Sequence, residues 1–174
     1  ETAAWVKNIL GNCYLGLGLL DKAQEYLEQA LEERVTKLGP EHPDTLGSKH
    51  DVARLLQRQR KLAEAEALMR ETLAARQRIL KPGDFKIVES MGGLADLLVE
   101  QKQWSEAIDR YRDAAELCRE SRPHFAALLQ FRGGQCLRQM NKAEEAEREM
   151  LAGYRGMCAT YGDGHDYTRD ARRE

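Results

Sequence analysis

Asp21-Lys-Ala-Gln-Glu-Tyr-Leu, Ala63-Glu-Ala-Glu-Ala-Leu-Met, Ser105-Glu-Ala-Ile-Asp-Arg-Tyr and Glu144-Glu-Ala-Glu-Arg-Glu-Met are four versions of one segment. Their alanines, Ala23, Ala65, Ala107 and Ala146, stand 42, 42 and 39 residues apart. Upstream, Leu10, Val52 and Leu94 keep the interval of 42, and so do Tyr14, Leu56 and Leu98. A fixed period in the range of roughly 20–50 residues marks a stacked repeat array, in which no single repeat buries its apolar face alone.

Working outward, each period reads as two helices. The first, helix A, carries apolar residues at i, i+3 and i+4: Leu10, Cys13 and Tyr14, then Val52, Leu55 and Leu56, then Leu94, Leu97 and Leu98. That spacing places one apolar stripe on a helix face. Helix B begins at a capping signal, Asp21 with Gln24 and Asn141 with Glu144, with Ser105 a further cap. It stops at Leu38-Gly39-Pro40, Leu80-Lys81-Pro82-Gly83 and Ser121-Arg122-Pro123, because Gly tolerates the left-handed turn and Pro cannot continue a helix. The expected helices are about 2–18, 21–37, 44–60, 62–80, 84–102, 105–120, 123–140 and 142–160. Tyr161-Gly162-Asp163-Gly164-His165-Asp166-Tyr167-Thr168 echoes Leu38-Gly39-Pro40-Glu41-His42-Pro43-Asp44-Thr45, so a further helix A should begin near Tyr167.

Composition agrees with an all-α, soluble, globular chain. It is 42 % hydrophobic and 32 % charged over 174 residues, with 4 prolines and abundant helix formers. The net charge of -2 gives no global attraction for nucleic acid or anionic membrane. The longest mostly apolar run, Ile9 to Leu20, is too short to span a bilayer, which needs about 20 residues. The chain opens at Glu1 without an initiator Met or signal peptide, which suggests a segment of a longer protein. Cys13 and Cys136 share a repeat column with Leu55 and Leu97. The four cysteines are therefore expected as buried, reduced thiols in a reducing compartment, the cytoplasm.

These columns resemble the tetratricopeptide repeat (TPR). The resemblance rests on Leu10, Gly11, Tyr14, Gly18, Leu20, Ala23, Leu27 and Ala30 in repeat one, and on Leu94, Ala95, Leu98, Trp104, Ala107, Tyr111 and Ala114 in repeat three. Repeat two offers Val52, Ala53, Leu56, Ala65, Met69 and Thr72. Repeat four is the weakest, with Gly134, Leu137, Asn141, Ala146, Met150 and Gly153. The 42-residue length and the Leu38–Thr45 linker are similar to the kinesin light chain type. Arrays of this kind also resemble the tails of large bacterial signalling proteins, including serine/threonine kinases. The resemblance implies a right-handed α-α superhelix, a TPR solenoid. One array would fill 1–174, with repeats at about 1–42, 43–84, 85–122 and 123–164, and the start of a fifth at 165–174. It also implies a non-catalytic protein-interaction module.

In such arrays helices A line the concave face, so their polar columns are the candidate site. Asn8 and Asn12 become His50 and Arg54 one repeat on, with Arg58 following, then Gly92, Asp96 and Glu100, then Phe131, Gln135 and Gln139. One reading is a peptide groove with a basic centre at His50, Arg54 and Arg58. Arginine would grip a carboxylate or phosphate, Asn8, Asn12 and Gln135 would hold peptide backbone, and Trp5, Leu128 and Phe131 would add apolar contact. The other reading pairs Arg54 with Asp96 and Arg58 with Glu100 as ordinary solvated scaffold. Some family members clamp two carboxylates of a chaperone tail with Lys, Asn and Arg. Asn12 would fit such a clamp, but its further columns hold Asp51, Glu89 and Gly93, so that function is not expected here.

No phosphate-binding loop, Gly-x-Ser-x-Gly elbow or His-Glu-x-x-His motif is present, so neither an enzyme nor a cofactor is expected. His42 and His165, in equivalent linkers, read as turn or capping residues rather than metal ligands. The expected partner is a protein or peptide, not nucleic acid or membrane. The alternative is a structural spacer or self-association module that uses the array ends.

Overall fold

The structure, a computed structural model, describes residues 2–162 and 166–171. It contains helix only among those residues, and packs as two units, Glu1–Leu80 and Lys81–Glu174. The first unit holds α1 (Thr2–Gly16), α2 (Leu20–Leu38), α3 (Pro43–Arg58) and α4 (Leu62–Ile79). The second holds α5 (Phe85–Glu100), α6 (Trp104–Cys118), α7 (Pro123–Gln139), α8 (Ala143–Tyr161) and the short α9 (Asp166–Ala171). The first eight lie within two residues of the expected helices at every end, and α9 starts where the echo at 161–168 places it. Within each unit successive helices pack on one another.

The repeat columns form the core. Ala23, Ala65 and Ala107 are fully buried and Ala146 nearly so. The large residue four positions on, Leu27, Met69 or Tyr111, is equally buried. Helix A presents a small residue to it. A Cβ placed on Gly11 would stand 2.6 Å from Leu27 Cγ, and one on Gly134 would stand 2.6 Å from Met150 Cγ. In the first unit Leu15, Ala23, Leu27, Val52 and Leu55 form one cluster, flanked by Tyr14, Leu20, Leu31, Leu56 and Leu68. In the second, Ala127, Phe131 and Met157 form another, flanked by Leu128, Met150, Tyr154 and Ala171.

The turn from helix A to helix B has the same geometry four times. Gly18, Arg60, Lys102 and Asn141 all adopt positive φ, at 75, 65, 62 and 58°. The N–H groups of Leu19, Lys61, Gln103 and Lys142 reach back to the carbonyls of Tyr14, Leu56, Leu98 and Leu137 at 2.8–3.1 Å. This is the six-to-one bond of a Schellman C-cap. The residue that closes it is also the N-cap of helix B, and none of the four provides a side-chain cap. The capping role expected of Asp21, Ser105 and Asn141 is therefore corrected. The turn is too tight for a separate cap, so Asp21 falls inside the first helical turn, where its charge complements the helix dipole. Asn141 is the left-handed turn residue itself. Side-chain caps do occur at helix A. His42 Nδ1 accepts from Asp44 N at 3.2 Å, and Asp84 Oδ1 accepts from Lys86 N at 2.8 Å. His165 lies outside the described residues.

Cys118 and Cys136 are buried, Cys158 is half-buried, and all four thiols are free. Cys13 is exposed, which corrects the expectation of a core position. Its column is buried in α3, where Leu55 packs against α2, and among the described residues no helix covers that side of α1.

Two substitutions test this packing. Gly153 lies against the α7 backbone: an added Cβ would stand 2.7 Å from both Ala127 O and Phe131 N. Gly153→Ala is expected to lower unfolding free energy by about 1–3 kcal/mol despite its better helix propensity. Lys102→Gly relieves a left-handed L-residue and is expected to raise it by about 0.5–1 kcal/mol. Urea denaturation monitored by circular dichroism measures both.

Candidate partner-binding face

The polar columns of helix A are joined to the next helix A in each unit. In the first unit Asn8 and Asn12 each donate from their amide nitrogen to Asp51 Oδ2 on α3, at 2.8 and 3.0 Å. Asn12 also donates to the Asn8 carbonyl at 3.1 Å, one turn back along α1. Ser48 Oγ donates to Asn8 Oδ1 at 3.0 Å, and Arg34 Nη1 of α2 reaches Ser48 Oγ at 2.7 Å. Asn8, Asn12 and Asp51 are half-buried. The network fixes the side chains that were expected to face a peptide.

In the second unit the pairing has the same register with different chemistry. Arg132 Nη1 of α7 donates to both oxygens of Asp96 of α5, at 2.7 and 2.8 Å. The Tyr111 hydroxyl of α6 donates to Asp96 Oδ1. Burial first, then the Asp96 charge, pushes the Tyr111 hydroxyl far above its ordinary pKa. Burial alone would lower Arg132, but the Asp96 carboxylate and the Tyr111 hydroxyl together outweigh it and the guanidinium is held above its usual value. Burial, with Asp96 adding, pushes the Cys136 thiol up to about 11. Beside this cluster is a cavity of about 310 Å³, lined by Val99, Trp104, Gln135 and Gln139 together with Asp96 and Arg132.

Of the expected site residues, the structure brings together Asn8 with Asn12, and Asp96 with the cavity that Gln135 also lines. The Arg54 side chain is 52 % exposed and lies 3.7 Å from Asp51 within α3. Arg58 is exposed and Glu100 is half-buried. Asp96 takes Arg132 and Tyr111 as partners, which neither reading of the sequence included. The signal lay in the neighbouring column, Ile9, Asp51, Gly93 and Arg132, whose second and fourth members are the bridging residues.

Two expected residues are placed differently. Phe131 is 6 % exposed and belongs to the core cluster of the second unit. His50 is 5 % exposed. Burial first, then the charges of buried Arg76 and exposed Arg54, push its pKa down to about 3. His50 is neutral at pH 7, so the basic character of this column rests on Arg54 and Arg58. Among the described residues no group of His, Cys, Asp and Glu could hold a metal ion.

The model of the tetratricopeptide repeat matches residues 2–78 and again 44–120, more than half of the chain. The chain belongs to the tetratricopeptide repeat family. TPR proteins are generally protein-interaction scaffolds and typically non-enzymatic. Among solved structures, the chain is similar to a putative kinesin light chain of Podosopora anserina with nearly identical TPR-like repeats. A point variant of that protein is 19 % identical, with 99 % of this chain and 84 % of that one covered at a TM-score of 0.83. BtubC (BKLC) from P. vanneervenii is 20 % identical over 93 % of this chain and 65 % of its own length, with a TM-score of 0.81. These likenesses show the fold, an all-α TPR solenoid of the kinesin light chain type. No curated protein sequence matches the chain.

His50 makes the stability of this TPR chain depend on pH. The unfolded chain protonates His50 below a pH of about 6.5, whereas the folded chain does so only near pH 3. Its contribution is complete above pH 6.5 and is lost as pH falls toward 3. The expected slope approaches about 1.4 kcal/mol per pH unit between pH 6 and 4.5. Thermal or urea unfolding of His50→Gln should show a shallower slope over that interval.

Proposed function

We propose that the chain is a non-catalytic scaffold that binds an extended peptide or a partner helix on the polar columns of its A helices. The observation that carries this reading is the state of Arg54. Its guanidinium is half exposed, and its ion pair to Asp51 is a loose one, to a carboxylate that already holds the amides of Asn8 and Asn12. Exposed Arg58 lies one turn further along α3. Two guanidinium groups spaced i, i+4 on one helix face suit a carboxylate or phosphate group of a partner. Asn8, Asn12, Asp96 and Gln135, at the same columns, would add polar contacts to an extended chain, with Glu100 at the far end of α5. His50 and Phe131 would support the face from beneath.

A second reading, favoured by the apolar residues exposed on α1, is a structural spacer or self-association module of a larger signalling protein such as a serine/threonine kinase. No described helix is long and apolar enough to cross a membrane. The buried free thiols of Cys118 and Cys136 suit a reducing compartment, and we place the chain in the cytoplasm. The net charge of -2 argues against nucleic acid as the partner.

The first reading is tested by selecting peptides from a displayed random library against the wild-type chain and titrating them by calorimetry. Affinity for the Arg54→Ala, Arg58→Ala variant should fall by about tenfold or more, equal to about 1.4 kcal/mol. Unchanged affinity would move the site off this face.

A further inference from the structure

The contact between α6 and α7 departs from the repeat pattern. The column of Val52 and Leu94 holds Gly133 in α7, and the column of Leu31 and Leu73 holds Ala115 in α6. Val52 and Leu94 are buried, and Val52 shares one apolar cluster with Leu31. The second unit therefore lacks both bulky members of that contact. Gly134 is required by Met150, but a Cβ on Gly133 would meet only Tyr111 Cβ, at 3.8 Å, an ordinary contact. A glycine inside a helix is unfavourable, and no close approach demands this one. The surroundings have changed in the opposite sense. Ile108 stands where α2 and α4 carry Gln24 and Glu66, and Leu129 stands where α3 and α5 carry Ser48 and Ser90. Ile108 and Leu129 are both buried. A cavity of about 400 Å³ remains, floored by Leu129, Gly133 and Leu137 and walled by Ile108, Tyr111 and Ala115. Around it, Arg119 is bonded to Glu116 at 2.7 Å, Glu149 of α8 accepts from Gln130 at 2.8 Å, and Asp113 lies 3.8 Å from Arg110. Arg112 lines the same cavity, is exposed, and takes part in none of these pairs.

We propose that this cavity is a second partner site, which takes a leucine-sized aliphatic side chain of a peptide, with a neighbouring acidic residue of that peptide on Arg112. The aliphatic class follows from the columns. The repeat fills these two positions with Val52, Leu94, Leu31 and Leu73, so the missing volume is that of branched aliphatic side chains. Its apolar floor and walls favour burial of such a group. The acidic neighbour follows from charge: the other arginine of the lining, Arg119, already has a carboxylate, and Arg112 does not. Arg112 stands one helical turn from Ile108, so neighbouring side chains of one peptide reach both. The site uses the stripe Leu129, Gly133 and Leu137, whereas the polar columns of α7 are Phe131, Gln135 and Gln139. It is independent of the reading of Arg54 and Arg58.

The test selects peptides from a displayed random library on the wild-type chain, after depletion on the Gly133→Leu variant, and titrates them by calorimetry. The surviving peptides should share an aliphatic residue next to Asp or Glu. Their affinity should fall at least about tenfold for Gly133→Leu and for Ala115→Leu, which refill the cavity from opposite walls. It should fall likewise for Arg112→Glu, whose exposed position leaves the fold undisturbed. It should be unchanged for Arg54→Ala, Arg58→Ala. Urea denaturation should show both filled variants at least as stable as the wild type, because each restores a side chain that the repeat carries elsewhere. The proposal is overturned if no peptide survives the depletion, or if the survivors keep their affinity for Ala115→Leu and Arg112→Glu. Destabilisation of both filled variants also overturns it, since the cavity would then have no room for a side chain. Survivors that lose affinity only for the Arg54, Arg58 variant bind the A-helix columns instead, which overturns this site and supports the other.

Discussion

Everything in this molecule depends on how closely helix B can approach helix A. The large residue of helix B, Leu27 or Met150, sits over a position of helix A that holds no side chain, Gly11 or Gly134. The matching positions in the other repeats hold alanine, Ala53 and Ala95, both fully buried. One methyl group is therefore the upper limit of what this contact admits. The close approach buries the alanine of helix B, aligns the apolar stripe of helix A, and sets the spacing at which the next helix A can pack. Because cores resist both voids and overpacking, the constraint is stronger than hydrophobicity alone.

The tight turn between helices follows from the same constraint. A Schellman closure brings the chain from helix A to helix B within three residues, and its left-handed residue is glycine in only one case of four. Arg60 and Lys102 accept an unfavourable backbone conformation, at about 1–2 kcal/mol each, because packing on either side leaves the chain no other route. Tertiary contact overrides local preference here. The N-termini of B helices show the same effect, since they begin without the side-chain caps that their sequences contain.

The fold was legible in the sequence because its cause is periodic. Ala23, Ala65, Ala107 and Ala146 repeat, so the contact they make repeats, and the helix boundaries follow within two residues. The site was legible only in outline. Which polar residue meets which depends on the register between successive A helices, and this is why Asp51 and Arg132, one column away from the expected residues, turned out to be the partners. Burial also varies within a column. Cys13 and Cys136 share one, yet Cys136 is buried between neighbours and Cys13 is exposed. His50 looked like a basic groove residue by its place in the column, but the neighbouring side chains bury it and Arg76 opposes its protonation.

The paired columns also limit what a partner could do on this face. In the first unit the link between successive A helices is amide to carboxylate, and in the second it is guanidinium to carboxylate. Both sets are half-buried, where breaking one member leaves another poorly solvated. A ligand that reached Asp96 or Arg132 would have to exchange one charged hydrogen bond for another, with little net gain. A ligand that reached Arg54 would meet a guanidinium whose partner, Asp51, is 3.7 Å away and already holds two asparagine amides. The larger gain is at the weakly committed arginine. On the binding reading, specificity would therefore come from Arg54, whose bond to Asp51 is a loose one, with the bonds of Asn8 and Asn12 to Asp51 keeping α1 and α3 in register.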